Sequence, residues 1–312
     1  MSCTNPLIFI DYGLLKNGKR DLRFLKRKRD DKGNPLLDMQ DLKLLYGDRV
    51  IEIPCGKCES CIEARTRTWA ARCVLEASCY EENCFLTLTY NDASLPKYGL
   101  CKNDIQNFLK RLRKRVDKKI RYYCCGEYGE KTNRPHYHLI IFNWFPEDAK
   151  FFKFGNFGEG MLFTSKTLSE LWPFGYSMVG ECSYQSCGYV ARYCQKKLYI
   201  EGKYKSFSMM SLKPGIGYQF LEDNFDKIYD TDKVYGNFGK SSFTTPFRYF
   251  DKVLESVDPM KFEEVKNERI NNAKLSIASE MFRLGFSKVE QLYAYKGNLK
   301  KLKFDRLKRK EL

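Results

Sequence analysis

The chain contains only two histidines, and they stand two positions apart: His136 and His138, in Arg134-Pro135-His136-Tyr137-His138-Leu139-Ile140-Ile141-Phe142. The β-branched and aromatic run after a proline predicts a strand. With a period of two, both imidazoles point to one face, and Tyr137 and Leu139 to the other. Two neutral imidazoles side by side on a sheet face can chelate one divalent ion. An isolated His-x-His is more often an ordinary strand feature, so the neighbours decide. Residues 120–128 (IRYYCCGEY) form a second strand-like run, and the polar loop 129–133 (GEKTN) joins the two as a hairpin. Glu127 can then approach the histidines across the ladder, with Glu130 as its substitute. One carboxylate and two imidazoles suit Mg²⁺ or Mn²⁺, with water and phosphate oxygens completing the shell.

A second group lies downstream in residues 182–197 (CSYQSCGYVARYCQKK), which predict a helix with Ser183 as its N-cap. Tyr189 and Tyr193 are four apart and share one helix face, with Cβ atoms about 5–6 Å apart. Phenol is a weak nucleophile because its pKa is about 10. It becomes useful where a metal neutralises the attacked phosphate and a lysine such as Lys196 or Lys197 lowers the cost of the phenolate. Such a tyrosine pair suits two successive attacks on DNA phosphate. The bland alternative is an aromatic core stripe with Val190 and Leu198.

A third group is Cys55-Gly56-Lys57-Cys58-Glu59-Ser60-Cys61, three thiols at two C-x-x-C spacings. The spacing suits a Zn²⁺ knuckle, with a fourth thiol from Cys73, Cys79 or Cys84. The alternative is a set of small buried thiols at the start of the helix from Glu59 to about Tyr80. Arg65, Arg67 and Arg72 on that helix are candidate phosphate contacts.

These groups need elements to hold them. Residues 83–90 (NCFLTLTY) alternate as a further strand. Residues 102–119 form a basic amphipathic helix whose Ile105, Phe108, Leu109, Leu112 and Val116 face the sheet. Its Lys110, Arg111, Arg113, Lys114 and Arg115 face solvent or DNA. Strand, helix, strand, strand, helix is the order of an α+β layer structure: an antiparallel sheet with helices on one face, followed by a helical C-terminal region. The expected division is an N-terminal region 1–53, a core 54–200 with a Cys-rich entry, an irregular extension 201–250 and a basic helical region 251–312. Residues 1–53 are expected to add strands or a DNA-binding arm. Residues 143–180 are expected to be an irregular insert whose Trp144, Phe151, Phe152, Phe154 and Trp172 are candidates to stack unpaired bases.

Composition narrows the class. Lys plus Arg number 55 against 39 Asp plus Glu, a net charge of +16, with 43% apolar and 15% aromatic residues. That is enough apolar material for a packed core, which excludes a disordered chain. The excess charge points to a polyanion, nucleic acid before membrane. Thirteen cysteines without a recognisable signal peptide or a long apolar span predict reduced thiols in a cytoplasm.

The order T-L-T-Y strand, H-x-H strand, Y-x-x-x-Y-x-x-K helix resembles the HUH endonucleases of rolling-circle replication. Residues 54–61 (PCGKCESC), 85–90 (FLTLTY), 126–142 (GEYGEKTNRPHYHLIIF) and 188–197 (GYVARYCQKK) are similar to replication initiators of the gokushovirus branch of the Microviridae. The motifs occupy somewhat under half of the chain. The resemblance implies that Tyr189 and Tyr193 are paired nucleophiles forming a 5′-phosphotyrosine, and that His136 and His138, with Glu127, hold the ion. It implies single-stranded and replicative-form viral DNA as substrates, host DNA polymerase and helicase as partners, and the host cytoplasm as the place. No Gly-x-x-x-x-Gly-Lys-Ser/Thr segment occurs, so no fused P-loop helicase is expected. The rival readings are a non-catalytic zinc-containing nucleic-acid-binding protein, and a transposase or relaxase of the same chemistry.

Overall fold

A computed structural model of the protein describes residues 3, 6–26, 37, 39–129, 132–155, 160–194 and 202–308. The chain divides into two compact units, Met1–Ala64 with Asn267–Leu312, and Arg65–Lys266.

The first unit opens with β1 (Leu7–Leu14), β2 (Arg20–Phe24), α1 (Met39–Tyr46) and β3 (Val50–Ile53). Ile8 and Ile10 alternate inward along β1, which is the middle strand of an antiparallel sheet in the order β2-β1-β3. Leu7 lies opposite Ile53, so the start of β1 and the end of β3 meet at one end of the ladder. The helix α2 (Glu59–Ala77) follows; its residues to Ala64 belong to this unit and those from Arg65 to the second.

The second unit is built on a seven-stranded sheet. Its elements are β4 (Asn83–Tyr90), α3 (Lys102–Arg115), β5 (Arg121–Tyr128), β6 (Pro135–Phe142), β7 (Lys150–Phe154), β8 (Met161–Thr164), α4 (Lys166–Leu171), β9 (Gly175–Glu181), α5 (Tyr184–Tyr193) and β10 (Phe207–Met210). The strand order is β10-β5-β6-β4-β9-β8-β7, and every pairing is antiparallel. Next come α6 (Tyr218–Asp223), α7 (Phe225–Thr231), the hairpin β11 (Val234–Phe238) and β12 (Ser241–Thr244), and α8 (Arg248–Val257). The helix α9 (Pro259–Leu284) begins in this unit, and its residues from Asn267 on, with α10 (Val289–Lys308), belong to the first unit; the two helices complete the helical C-terminal region.

The expected α+β architecture is present, with one refinement: helices cover both faces of the sheet instead of one. The central strands are apolar on both sides, so each side needs a cover. On one face Leu86, Leu88, Tyr137 and Leu139 pack with Ile105, Phe108, Leu109 and Leu112 of α3 and with Leu168 and Leu171 of α4. On the other, Phe85, Tyr123, Ile140 and Phe142 pack with Ala70 and Cys73 of α2 and with Cys187, Val190 and Ala191 of α5.

Three further expectations need correction. Residues 143–180 are not an irregular insert but supply β7, β8 and β9, three strands of the large sheet. Residues 201–250 carry β10, α6, α7, β11 and β12, and β10 pairs with β5 along 207–210. These strands are four to seven residues long and too brief for alternation to declare them. Trp144 and Trp172 are buried in the core, and the Trp172 indole N–H donates to the Thr89 carbonyl at 3.2 Å, so neither can stack a base. Phe151, Phe152 and Phe154 are exposed on the edge strand β7. Among the described residues, no helix is long and apolar enough to cross a membrane.

Candidate active site

The hairpin of β5 and β6 sets the register of the site. Glu127 lies opposite His136, which in turn lies opposite Thr89 of β4. One pair along, Cys125, His138 and Thr87 form the next row. Alternation sends Glu127, His136, His138, Thr87 and Thr89 to the face covered by α2 and α5. Tyr137 goes to the opposite face, where its hydroxyl lies 2.9 Å from that of Tyr90 and accepts from the Cys101 amide at 2.6 Å.

The two histidines have different surroundings. His138 is buried, with Nδ1 3.1 Å from Thr87 Oγ1 and Nε2 3.2 Å from Glu127 Oε1. Glu127 is only 3% exposed, and its second oxygen, Oε2, is buried without any hydrogen-bond partner. A carboxylate oxygen in that position is costly unless a further group takes it. Burial, aided by the charges of His138 and Arg134, holds His136 down to about 4, so its imidazole is neutral at pH 7. A neutral imidazole is the form that ligates metal.

Gly129 closes the site beside His136. A Cβ at this position would lie 2.7 Å from His136 Nε2 and 2.9 Å from Cε1, so only glycine leaves the ring its place. Gly129 opens the loop, with its N–H donating to the Arg134 carbonyl at 3.0 Å.

The tyrosines arrive on α5. Ser183 caps it: its hydroxyl accepts from the Ser186 amide, and the Ser186 side chain returns to the Ser183 amide, a full capping box. Cys187, Val190 and Ala191 bury the inner face of the helix. Tyr189 and Tyr193 sit beside that face, half-buried, with ring centroids 4.4 Å apart. Their rings lie 5.0 and 5.7 Å from that of His138, which stacks on Phe85 at 5.7 Å. Thr87, Thr89, Glu127, His136, His138 and the two tyrosines thus line one open pocket of about 400 Å³. Two imidazoles and an under-satisfied carboxylate are the donor types of a small divalent cation site. The two imidazole ring centroids lie 6.2 Å apart, however, and among the described residues only the cysteine group below brings its ligand atoms within 4.8 Å of one another. Lys196, Lys197 and Glu130 lie outside the described residues.

The basic helix α3 stands elsewhere, on the face of the sheet opposite the pocket. Arg111 donates to the Leu171 carbonyl at 3.0 and 2.8 Å, Arg113 to the Ile120 carbonyl at 3.3 Å, and Arg115 pairs with Glu170 at 2.7 Å. Lys110 and Lys114 are exposed. Arg72 of α2 is buried and not a phosphate contact: it donates to the Ile216 carbonyl at 3.0 and 2.8 Å between the rings of Trp69 and Tyr249.

The cysteine triplet gathers in the first unit. The group that could hold a metal ion is Cys3, Cys55, Cys58 and Cys61, with all four sulfurs within 4.8 Å of one another. The fourth member is therefore Cys3, and not Cys73, Cys79 or Cys84. Cys73 and Cys84 are buried in the two cores of the large sheet, and the Cys79 thiol donates to the Leu75 carbonyl at 3.3 Å. Only the antiparallel pairing of β1 with β3 reveals Cys3, because 52 residues separate it from Cys55.

Residues 83–198, which span β4 to α5 and so the whole pocket, match the family model of the ORF2-type replication-associated proteins. The chain is 31% identical over 258 residues to the replication-associated protein ORF4 of Chlamydia phage 1, covering 78% of this chain and 62% of that protein. It is 33% identical over 244 residues to the replication-associated protein ORF2 of Spiroplasma virus 4, covering 72% and 75% of the two chains. With the replication-associated protein VP4 of Bdellovibrio phage phiMH2K it shares 34% identity over 193 residues, covering 58% and 61%. No solved structure gives a significant match. The chain belongs to the phage replication-associated proteins of the Microviridae type.

Proposed function

We propose that the protein initiates and terminates rolling-circle replication of a phage genome by nicking the origin of the replicative form and later rejoining the ends. The observation that carries this reading is the meeting of two tyrosines, two histidines and a buried carboxylate in one pocket. A Mg²⁺ or Mn²⁺ ion held by His136, His138 and Glu127 would supply Lewis-acid polarisation of the scissile phosphate.

The protein's own groups account for the rest. One phenol, Tyr189 or Tyr193, attacks phosphorus: the bond to the tyrosine oxygen forms and the bond to the 3′ oxygen breaks. The products are a 5′-phosphotyrosine and a 3′-hydroxyl for host polymerase, with host helicase opening the duplex. After one circuit the second phenol cleaves the regenerated origin in the same way. The released 3′-hydroxyl then attacks the first phosphotyrosine, closing the circle and freeing that phenol. Each step exchanges one phosphodiester for another, so no nucleotide hydrolysis is required. Lys196 and Lys197, three and four positions after Tyr193 in sequence, would stabilise the developing charge. Lys110 and Lys114 of α3 would hold phosphate away from the pocket, and Phe151, Phe152 and Phe154 of β7 would stack unpaired bases.

The test is cleavage of labelled single-stranded fragments tiling the cognate genome, with Mg²⁺ or Mn²⁺ and with EDTA. The reading expects a single cleaved site bearing a 3′-hydroxyl, and none with EDTA. Equal cleavage in EDTA, or a 5′-phosphate free of protein, would overturn it.

A further inference from the structure

We propose that Cys3, Cys55, Cys58 and Cys61 bind one Zn²⁺ that ties the start of the chain and the end of β3 to the first turn of α2. The site lies wholly within the first unit and shares no residue with the nicking pocket, so it stands or falls independently of the proposed function.

The fold brings the four thiols together from three places. Cys3 precedes β1 and Cys55 follows β3, and the Leu7–Ile53 pairing sets both at one end of the small sheet. Cys58 lies just before α2, and Cys61 is in its first turn, its N–H donating to the Cys58 carbonyl at 2.9 Å. Gly56 has φ +70°, the left-handed conformation that lets the chain reverse between Cys55 and Cys58.

Two opposite sulfur–sulfur distances match the edges of a tetrahedron. Zinc–sulfur bonds of about 2.3 Å place tetrahedral sulfurs about 3.8 Å apart. The Sγ atoms of Cys3 and Cys58 are 3.8 Å apart, and those of Cys55 and Cys61 4.0 Å. Disulfides need about 2.05 Å, and none of the cysteines is joined in one.

Backbone amides surround the sulfurs as they would thiolates. The Cys58 N–H donates to Cys55 Sγ at 3.3 Å and the Lys57 N–H to the same sulfur at 3.5 Å. The Cys55 N–H donates to Cys3 Sγ at 3.3 Å. Such outer-shell donors orient ligands and offset the charge of a tetrathiolate. Four sulfurs exclude Mg²⁺, Ca²⁺ and Mn²⁺, which take oxygen ligands, and a closed tetrathiolate with no open position is the structural form of a zinc site. Among the described residues, no other group of cysteines converges in this way.

The experiment uses the full chain, purified without added metal. Elemental analysis should find about one zinc per chain in the wild type and in Cys79→Ser, and a marked loss in Cys58→Ser. Cys3→Ser should release zinc to a chromogenic chelator faster by more than the ~10–100-fold that loss of an outer-shell partner costs. Where a serine variant fails to fold, the wild type still decides: Co²⁺ exchanged into it should give the intense visible bands of tetrahedral tetrathiolate cobalt. A folded wild type free of metal, or holding iron instead of zinc, would overturn the proposal. So would Cys3→Ser with the zinc release rate of the wild type.

Discussion

Gly129→Ala probes the site with one methyl group. The new Cβ would stand 2.7 Å from His136 Nε2, and contact becomes ordinary only at 3.4 Å, so the imidazole must retreat by about 0.7 Å. Gly129 does not have a positive φ, and alanine keeps the N–H that bonds to the Arg134 carbonyl, so the backbone has no reason to yield. The strain therefore falls on the ring. Misplacing a reacting or positioning group by about 1 Å costs about a hundredfold in rate, so a shift of roughly 0.7 Å should slow cleavage by roughly ten- to a hundredfold. The assay is single-turnover cleavage of the origin strand with increasing Mn²⁺, beside a urea denaturation of the same variant. The account expects slower cleavage and a raised metal requirement at an almost unchanged unfolding midpoint. Cleavage at the wild-type rate and metal requirement would refute the assignment of His136 to the ion.

Other consequences are equally direct. Glu127→Gln should remove metal-dependent cleavage while leaving single-stranded DNA binding nearly intact, read by gel shift and cleavage on the same samples. Raising salt from 50 to 200 mM should weaken DNA binding by about a thousandfold or more if six or more phosphates are contacted, and a flat response would count against the cationic surface. Arg121→Ala should destabilise the second unit by about 3–5 kcal/mol, seen as a lower urea midpoint at constant m-value, because a buried charge loses its partner. Arg121 pairs with the buried Glu76 and donates to the carbonyls of Pro214 and Gly215, while Glu76 also accepts from the Gly217 amide at 2.6 Å.

The elements nearest the pocket were the legible ones. The β5–β6 hairpin, the β4 strand, the Ser183 cap and the inward face of α3 all follow from short-range alternation, helical spacing or capping chemistry. Even the approach of Glu127 is local, since it needs only the hairpin register. What was not legible depends on long-range pairing. Cys3 joins the other thiols through β1 and β3, and β10 reaches β5 from about eighty residues away. The cations of α3 illustrate a different limit. Helical periodicity tells which side of a helix faces a sheet, but not which face of the sheet receives it, and α3 covers the face away from the pocket. Likewise Arg72 has the charge of a phosphate contact, but burial against Trp69 and Tyr249 gives it a structural use.

The proposed chemistry requires Tyr189 and Tyr193 to become covalently attached to DNA. The most direct measurement incubates the full chain with Mn²⁺ and a fluorescent origin strand, then resolves the products on a denaturing gel and maps the labelled peptide. The account predicts a shifted, protease-sensitive band whose label lies on Tyr189 or Tyr193, partly retained in either single phenylalanine variant and abolished in the double variant. A covalent band that survives in Tyr189→Phe/Tyr193→Phe would contradict it.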